Sequence, residues 1–407
     1  MNDVHDVLSN ANSCHSLLYQ LNWTHQEFYD HATANISEYA LNLIAVYCLA
    51  VYFKFNSFHI GGQDIMNLDF FSPIVPENEQ HANFKRINTI ITESFIDSFN
   101  QISRGYYDKD GDIVKKFQTQ FNPALWEIYL HGVFKTLGMK AIEKYASPDF
   151  VFNDVIVEAV IASNTSNKIG EWETNWKDMA FFDLHSLNMQ SIIRYTNSIS
   201  KKYNLYLNKY SKNSYVLNKP FVIALGSFDQ PFFHMEYDRG MLPVAYGLYT
   251  DENANFDGDI AYQHGNCPVK HMKHILNHNN SRIDLGLFTN EGMKWLSAII
   301  FSCTATISKF RINQIDEKNL IVFEGQFLDE DLTLHNIRAK NTDFPEELVD
   351  GLQVYHNPFA VNPLNCAFLD SQGITHYTYN TEYGYFERHI NERSLVMRNS
   401  KVFILKT

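Results

Sequence analysis

The sequence predicts an α/β (α+β) protein: a mixed β-sheet flanked by helices, preceded by a mainly helical region and followed by β-rich additions. Three observations predict it. Behind Asn122-Pro123, a helix opening with Pro at N1, the residues Leu125, Ile128, Tyr129, Val133, Phe134 and Leu137 recur at helical spacing as far as Gly138. Two short strands follow, Asp149–Phe152 and Val155–Ala162, joined by a tight Asn153-Asp154 turn. A helix over 188–206 then leads to Lys219-Pro220 and the continuous apolar run Phe221–Leu225, the pattern of a central strand covered on both faces.

The flanking elements are read in the same way. Glu38–Phe53 is an apolar helix and Arg86–Ser103 another, with Ile87, Ile90, Ile91, Phe95, Ile96, Phe99 and Ile102 at helical spacing. Between them Gly61-Gly62, Pro73 and Pro76 mark a loop. Asp108-Lys109-Asp110-Gly111-Asp112 starts like a calcium loop, but no Glu closes it, so it reads as a polar turn. Asn164–Asp183 is polar and Trp-containing, a loop or lid. Further strands are expected over 295–304, 320–328, 375–379 and 402–405. The organisation expected is 1–117 helical, 118–310 core and 311–407 β-rich.

Composition limits the function. With 33 Lys+Arg against 46 Asp+Glu the net charge is −13, which argues against indiscriminate coating of nucleic acid. The 45% hydrophobic content supplies a large core. Five scattered cysteines without a CxxC pair do not form a secreted disulfide framework. The acidic start has no signal-peptide pattern, and the longest apolar stretch, Leu43–Phe53, is too short to span a bilayer. A cytoplasmic protein away from membranes is the expectation.

Glu158 lies inside Val155-Ile156-Val157-Glu158-Ala159-Val160-Ile161, where its neighbours demand burial. A buried carboxylate needs a partner or takes up a proton. Asp149 heads the preceding strand, across a short hairpin, and Glu127 sits on the helix leading into it. Three converging carboxylates suit a hard divalent cation held through oxygen, which can activate water and neutralise a phosphoryl transition state.

Ser147-Pro148-Asp149-Phe150, the hairpin turn and Val157-Glu158-Ala159-Val160, preceded by Trp126-Glu127 on a helix, resemble the active-site core of the PD-(D/E)XK nuclease superfamily. The resemblance covers Phe121–Leu225 and implies a restriction-endonuclease-like fold. It also implies Mg²⁺ (or Mn²⁺) held by Asp149, Glu158 and the Ala159 carbonyl, with Glu127 as the accessory acid of the helix. The motif's lysine position holds Val160. Some members relocate that lysine to the next helix, where Lys201 and Lys202 stand, and of the two Lys202 is preferred. Gln190 and Arg194, on the same helix, are the substrate-binding candidates.

Other signals compete. His264, Cys267, His271, His274 and His278 are metal-capable, and a helix over 269–277 would put three of the histidines near one face, but the spacing matches no zinc-finger pattern. No nucleophile elbow, Walker loop or dinucleotide fingerprint is present. Lys201, Lys202, Lys209, Lys212 and Lys219 gather locally among Tyr203, Tyr206, Tyr210 and Tyr215, which reads equally as a nucleic-acid groove or as a solvated face. Two functions are therefore carried forward. One is a metal-dependent endonuclease acting on nucleic acid, DNA ahead of RNA, with a family-level link to bacterial defence or restriction and with room for a homodimer or protein partner. The other is a nuclease-derived fold that has lost catalysis and serves as a binding or assembly module.

Overall fold

Three central strands whose residues alternate between two cores organise the molecule. The computed structural model describes residues 68–163, 184–250 and 269–404, all within one compact unit. In chain order come helices α1 (Ala82–Asn88), α2 (Glu93–Ser103), α3 (Ile113–Thr119) and α4 (Phe121–Thr136), and strands β1 (Phe150–Val151) and β2 (Ile156–Ile161). Helix α5 (Leu184–Asn208), β3 (Phe221–Gly226), α6 (Met241–Tyr246) and β4 (Leu248–Thr250) follow. The remainder is β: β5 (Val269–His271), β6 (His274–Leu276), β7 (Arg282–Asp284), β8 (Ala298–Ser302), β9 (Asn319–Asp329), β10 (Leu334–Lys340), β11 (Leu352–His356), β12 (Ile374–Asn380), β13 (Tyr385–Ile390) and β14 (Arg393–Ile404).

The main sheet has seven strands in the order β1-β2-β3-β8-β11-β12-β13. It is mixed: β2, β3 and β8 run parallel, as do β11 and β12, while β1, β11 against β8, and β13 are antiparallel. Because side chains alternate along a strand, Val157, Val222 and Ile300 enter the core on the α4 side, and Ile156, Ile223 and Ile299 enter the core on the α5 side. Burial on both faces explains the unbroken apolar runs in the sequence. Helix α4 is fixed to the sheet by Trp126, fully buried, whose indole N–H donates to the Ala224 carbonyl at 3.0 Å.

Several expectations are corrected. The single helix over 86–103 is two, α1 and α2, divided at Thr89–Thr92. Thr92 caps α2 by accepting from the Phe95 N–H at 3.3 Å, and the β-branched stretch between them favours the break. Helix α4 starts at Phe121, so Pro123 lies within its first turn and not at N1. The segment 269–277, on which a helix would have gathered three histidines, instead carries two strands, β5 and β6, and Asn277–Ser281 forms the β6–β7 hairpin turn, with Asn280 at φ 56°. Of the short strand expected at 402–405, the described residues 402–404 are the end of the twelve-residue β14.

The expected boundary at 117/118 falls inside α3, and that at 310/311 inside the 3-10 turn Ile307–Arg311. Strands β11, β12 and β13, from the C-terminal third, complete the main sheet, and only β10-β9-β14 form a separate three-stranded sheet. The helix expected at 38–53, the Gly61-Gly62 turn, the segment 164–183, and His264 and Cys267 lie outside the described residues. No described helix is long and apolar enough to cross a membrane.

Candidate active site

Glu158 is the third residue of β2 and shares its face with Ile156 and Val160, the face covered by α5. It is 3% exposed. Helix α5 answers the burial by bringing Lys202 Nζ to 2.6 Å from Glu158 Oε1. Tyr210, in the 3-10 turn after α5, donates its hydroxyl to the same oxygen at 3.2 Å. Glu158 Oε2, buried as well, finds no hydrogen-bond donor among the described residues.

Asp149 immediately precedes β1. The β1–β2 register pairs Phe150 with Val157, so Asp149 continues the ladder opposite Glu158. Its Oδ2 accepts the Ala159 N–H at 2.7 Å, which ties the aspartate to the residue following Glu158. A strand residue's N–H and C=O leave the backbone on the same side, so the Ala159 carbonyl also projects toward the edge that Asp149 occupies.

Glu127 lies on α4. Its Oε2 accepts the Tyr106 hydroxyl at 3.0 Å, and it interacts with Asp149 through charge. Lys109, from the turn between α2 and α3, donates to the carbonyls of Pro148 at 2.9 Å and of Asp149. Sequence reasoning missed Tyr106 and Lys109 as site residues. Their only local signal was the polar turn at 108–112, and nothing in the spacing ties that turn to a motif some 40 residues on.

The charges are mutually strained. Burial pushes the Glu127 carboxyl up to about 7, with the Asp149 charge adding to the shift. Asp149 is raised by burial against the pull of Lys202 and the Ala159 N–H. Glu158 is raised by burial and by Asp149, and Lys202 and Tyr210 oppose the rise. Lys109 is lowered by burial, offset by Asp149, Glu127 and Glu158. The Tyr106 and Tyr210 hydroxyls are raised by burial and then by Glu127 and Glu158 respectively, so both remain donors at neutral pH. Carboxylates crowded in this way are what an added cation relieves.

The structure therefore brings together Asp149, Glu158, Lys202 and the Ala159 backbone, with Glu127 in electrostatic reach. Lys201 is exposed and borders a cleft of about 1220 Å³ along α5, together with Lys202, Gln190 and Arg194. Arg194 is 8% exposed, and its guanidinium is engaged with the Ala162 and Ser163 carbonyls, at the end of β2, and with Gln230 Oε1. The tyrosines of the expected aromatic strip are not a stacking platform. Tyr203, Tyr206 and Tyr210 are buried, Tyr206 against Phe221, and Tyr215 stacks on Tyr145.

Among the described residues no three His, Cys, Asp or Glu side chains gather closely enough to hold a metal, so the three-carboxylate cluster expected from the sequence is reduced to two acids with Glu127 behind Tyr106. His271, His274 and His278 are all exposed and do not form a zinc cluster with one another. The donor set that remains, two carboxylates and a backbone carbonyl with an orphaned buried oxygen on Glu158, still fits a hard cation that takes oxygen ligands and keeps much of its water. No family model matches the chain, and no curated protein or solved structure does either.

Proposed function

We propose that this chain is a Mg²⁺-dependent endonuclease that hydrolyses phosphodiester bonds, DNA ahead of RNA, with a PD-(D/E)XK-type site on a restriction-endonuclease-like core. The single observation carrying the proposal is the Lys202–Glu158 pair. Val160 occupies the motif's lysine position on the α5 face of β2, and α5 delivers Lys202 to that same face, 2.6 Å from the motif's acid. The alternative, a degenerate binding or assembly module, accounts for the ion pair as compensation of a buried charge but gives no use for the second Glu158 oxygen, which is buried and has no donor among the described residues.

In this reading Asp149, Glu158 and the Ala159 carbonyl would hold Mg²⁺ or Mn²⁺, which when bound supplies charge neutralisation at the phosphoryl group and an acidified water. Lys202 orients the attacking water and carries positive charge toward the phosphate. Tyr210 steadies Glu158 as a donor. Glu127, poised near neutrality, takes or relays a proton through solvent. Gln190 and Lys201 would contact substrate along the α5 cleft, and Arg194 supports the end of β2. A cytoplasmic location fits the two described cysteines, Cys303 and Cys366, both free thiols. A role in bacterial defence or restriction, with a homodimer or a partner protein, follows from the resemblance alone.

The test is to incubate purified protein with single- and double-stranded DNA and RNA in Mg²⁺ or Mn²⁺ and then in EDTA. Metal-dependent internal cleavage that disappears in Lys202→Met supports the proposal. No cleavage of any substrate in either metal, or cleavage that persists in EDTA, overturns it.

A further inference from the structure

We infer that Lys109 is a positioning residue of this site, supplied by the N-terminal helical region to hold the metal-binding aspartate. The inference rests on the nuclease reading. Lys109 Nζ donates to the Pro148 carbonyl at 2.9 Å and to the Asp149 carbonyl, so one ammonium clamps two consecutive carbonyls at the head of β1.

The turn that carries Lys109 is built to present it. The Asp108 carboxylate accepts the N–H groups of Asp112 and Ile113 at 3.2 and 3.1 Å, and Gly111 adopts φ +70°, which a side chain would resist. Lys116 closes the far side by pairing with Asp110 at 3.0 Å and Asp112 at 2.8 Å.

The chemistry of the clamp argues for more than a loop tie. A neutral amide could bridge two carbonyls with a smaller desolvation cost than an ammonium. An ammonium belongs here because Asp149, Glu127 and Glu158 all act on it and offset its burial. Asp149 is thus gripped from both sides: its carbonyl by Lys109 and its carboxylate by the Ala159 N–H. Partners of this kind, one shell out from a metal ligand, fix the ligand's direction and so set cation affinity.

Removing Lys109 sets two effects against each other, and their signs differ. Loss of a nearby positive charge alone would tighten cation binding, whereas loss of the clamp loosens Asp149 and weakens it. Positioning predicts the second.

The experiment is Mn²⁺ titration, by calorimetry or by the free-ion spin-resonance signal, of the full-length wild type, Lys109→Met, Lys109→Gln and Glu158→Gln, with thermal melting to confirm folding. Lys109→Met should weaken Mn²⁺ binding by about 10-fold or more, and Lys109→Gln, which retains an N–H donor, should recover most of that loss. If Lys109→Met does not fold, Lys109→Ala against Lys109→Gln decides, since both lack the charge and only Gln keeps a donor: Lys109→Ala should bind Mn²⁺ about 10-fold more weakly than Lys109→Gln, and equal or tighter binding in Lys109→Ala overturns positioning. Unchanged or tighter binding in folded Lys109→Met also overturns it, while loss of binding in Glu158→Gln leaves the nuclease reading standing. If the wild type binds no Mn²⁺, or Glu158→Gln binds it equally well, the nuclease reading fails and this inference falls with it.

Discussion

Lys202 and Glu158 are 44 residues apart in sequence and 2.6 Å apart in space, the lysine on α5 and the glutamate on β2. Glu158 is almost fully buried and Lys202 only partly so, which makes the glutamate the dependent partner. Without the ammonium, a buried carboxylate must protonate or open a path to water.

The pair gives the sharpest mutational expectation. Lys202→Met should abolish cleavage and destabilise the fold by on the order of 3 kcal/mol, since it leaves Glu158 without its cationic partner. Lys201→Met should reduce activity only modestly. Adding Val160→Lys to Lys202→Met should restore part of the activity, because residue 160 shares the Glu158 face of β2. Cleavage rates and urea melts of the three variants check this.

Glu127 makes a pH-dependent contribution whose sign is fixed by its raised carboxyl. Its folded value of about 7 lies above the ordinary 4.5, so the folded state holds the proton more tightly. Stability from this group is fully present below the unfolded value and is lost as pH rises through about 7. Glu127→Gln should therefore raise the melting temperature at pH 8 by about 2–5 °C without metal, and change little at pH 4. Differential scanning across that range reads the effect.

A histidine pair behaves in the opposite sense. His356 Nε2 lies 2.9 Å from His376 Nδ1 with the rings stacked. Burial, then the charges of His376 and His389, lower His356 to about 4, so it is neutral in the fold and protonated when unfolded in mildly acidic solution. Stability from this group is present above about 6.5 and is lost as pH falls toward 4. His356→Gln should flatten the fall in melting temperature between pH 7 and pH 5.

Glu346 ties the three-stranded sheet to the rest of the unit. It accepts from Lys309 at 2.7 Å and from two guanidinium nitrogens of Arg398 at 2.8 and 2.9 Å, with all three side chains buried. Removing the negative member leaves two buried cations facing each other. Glu346→Gln should cost on the order of 3–5 kcal/mol in a chemical denaturation experiment, with cleavage chemistry at the remaining folded fraction unaltered.

The α/β pattern was legible because it rests on local periodicity: the α4 stripe, the β1–β2 hairpin and the apolar β3 all follow from residues close in sequence. Glu158 was legible too, as a carboxylate in a run that had to be buried. What stayed hidden depends on distant pairing. Lys109 and Tyr106 meet Pro148–Asp149 and Glu127 only once α2 and α3 pack on α4. The strands over 269–276 are not legible because the segment is too short for periodicity to decide between helix and strand. The tyrosines after Lys202 suit a groove or a solvated face by their spacing among lysines, yet Tyr203, Tyr206 and Tyr210 fill the core beneath α5.

The most direct measurement is the Mg²⁺-dependent cleavage rate of end-labelled DNA and RNA by wild type and Glu158→Gln prepared side by side, each repeated in EDTA. A Mg²⁺-dependent nuclease built on Asp149, Glu158 and Lys202 should cut at a rate about 100-fold or more above Glu158→Gln, with EDTA abolishing the difference. Equal rates in the two proteins, or no cutting of either nucleic acid by wild type in Mg²⁺, would contradict it.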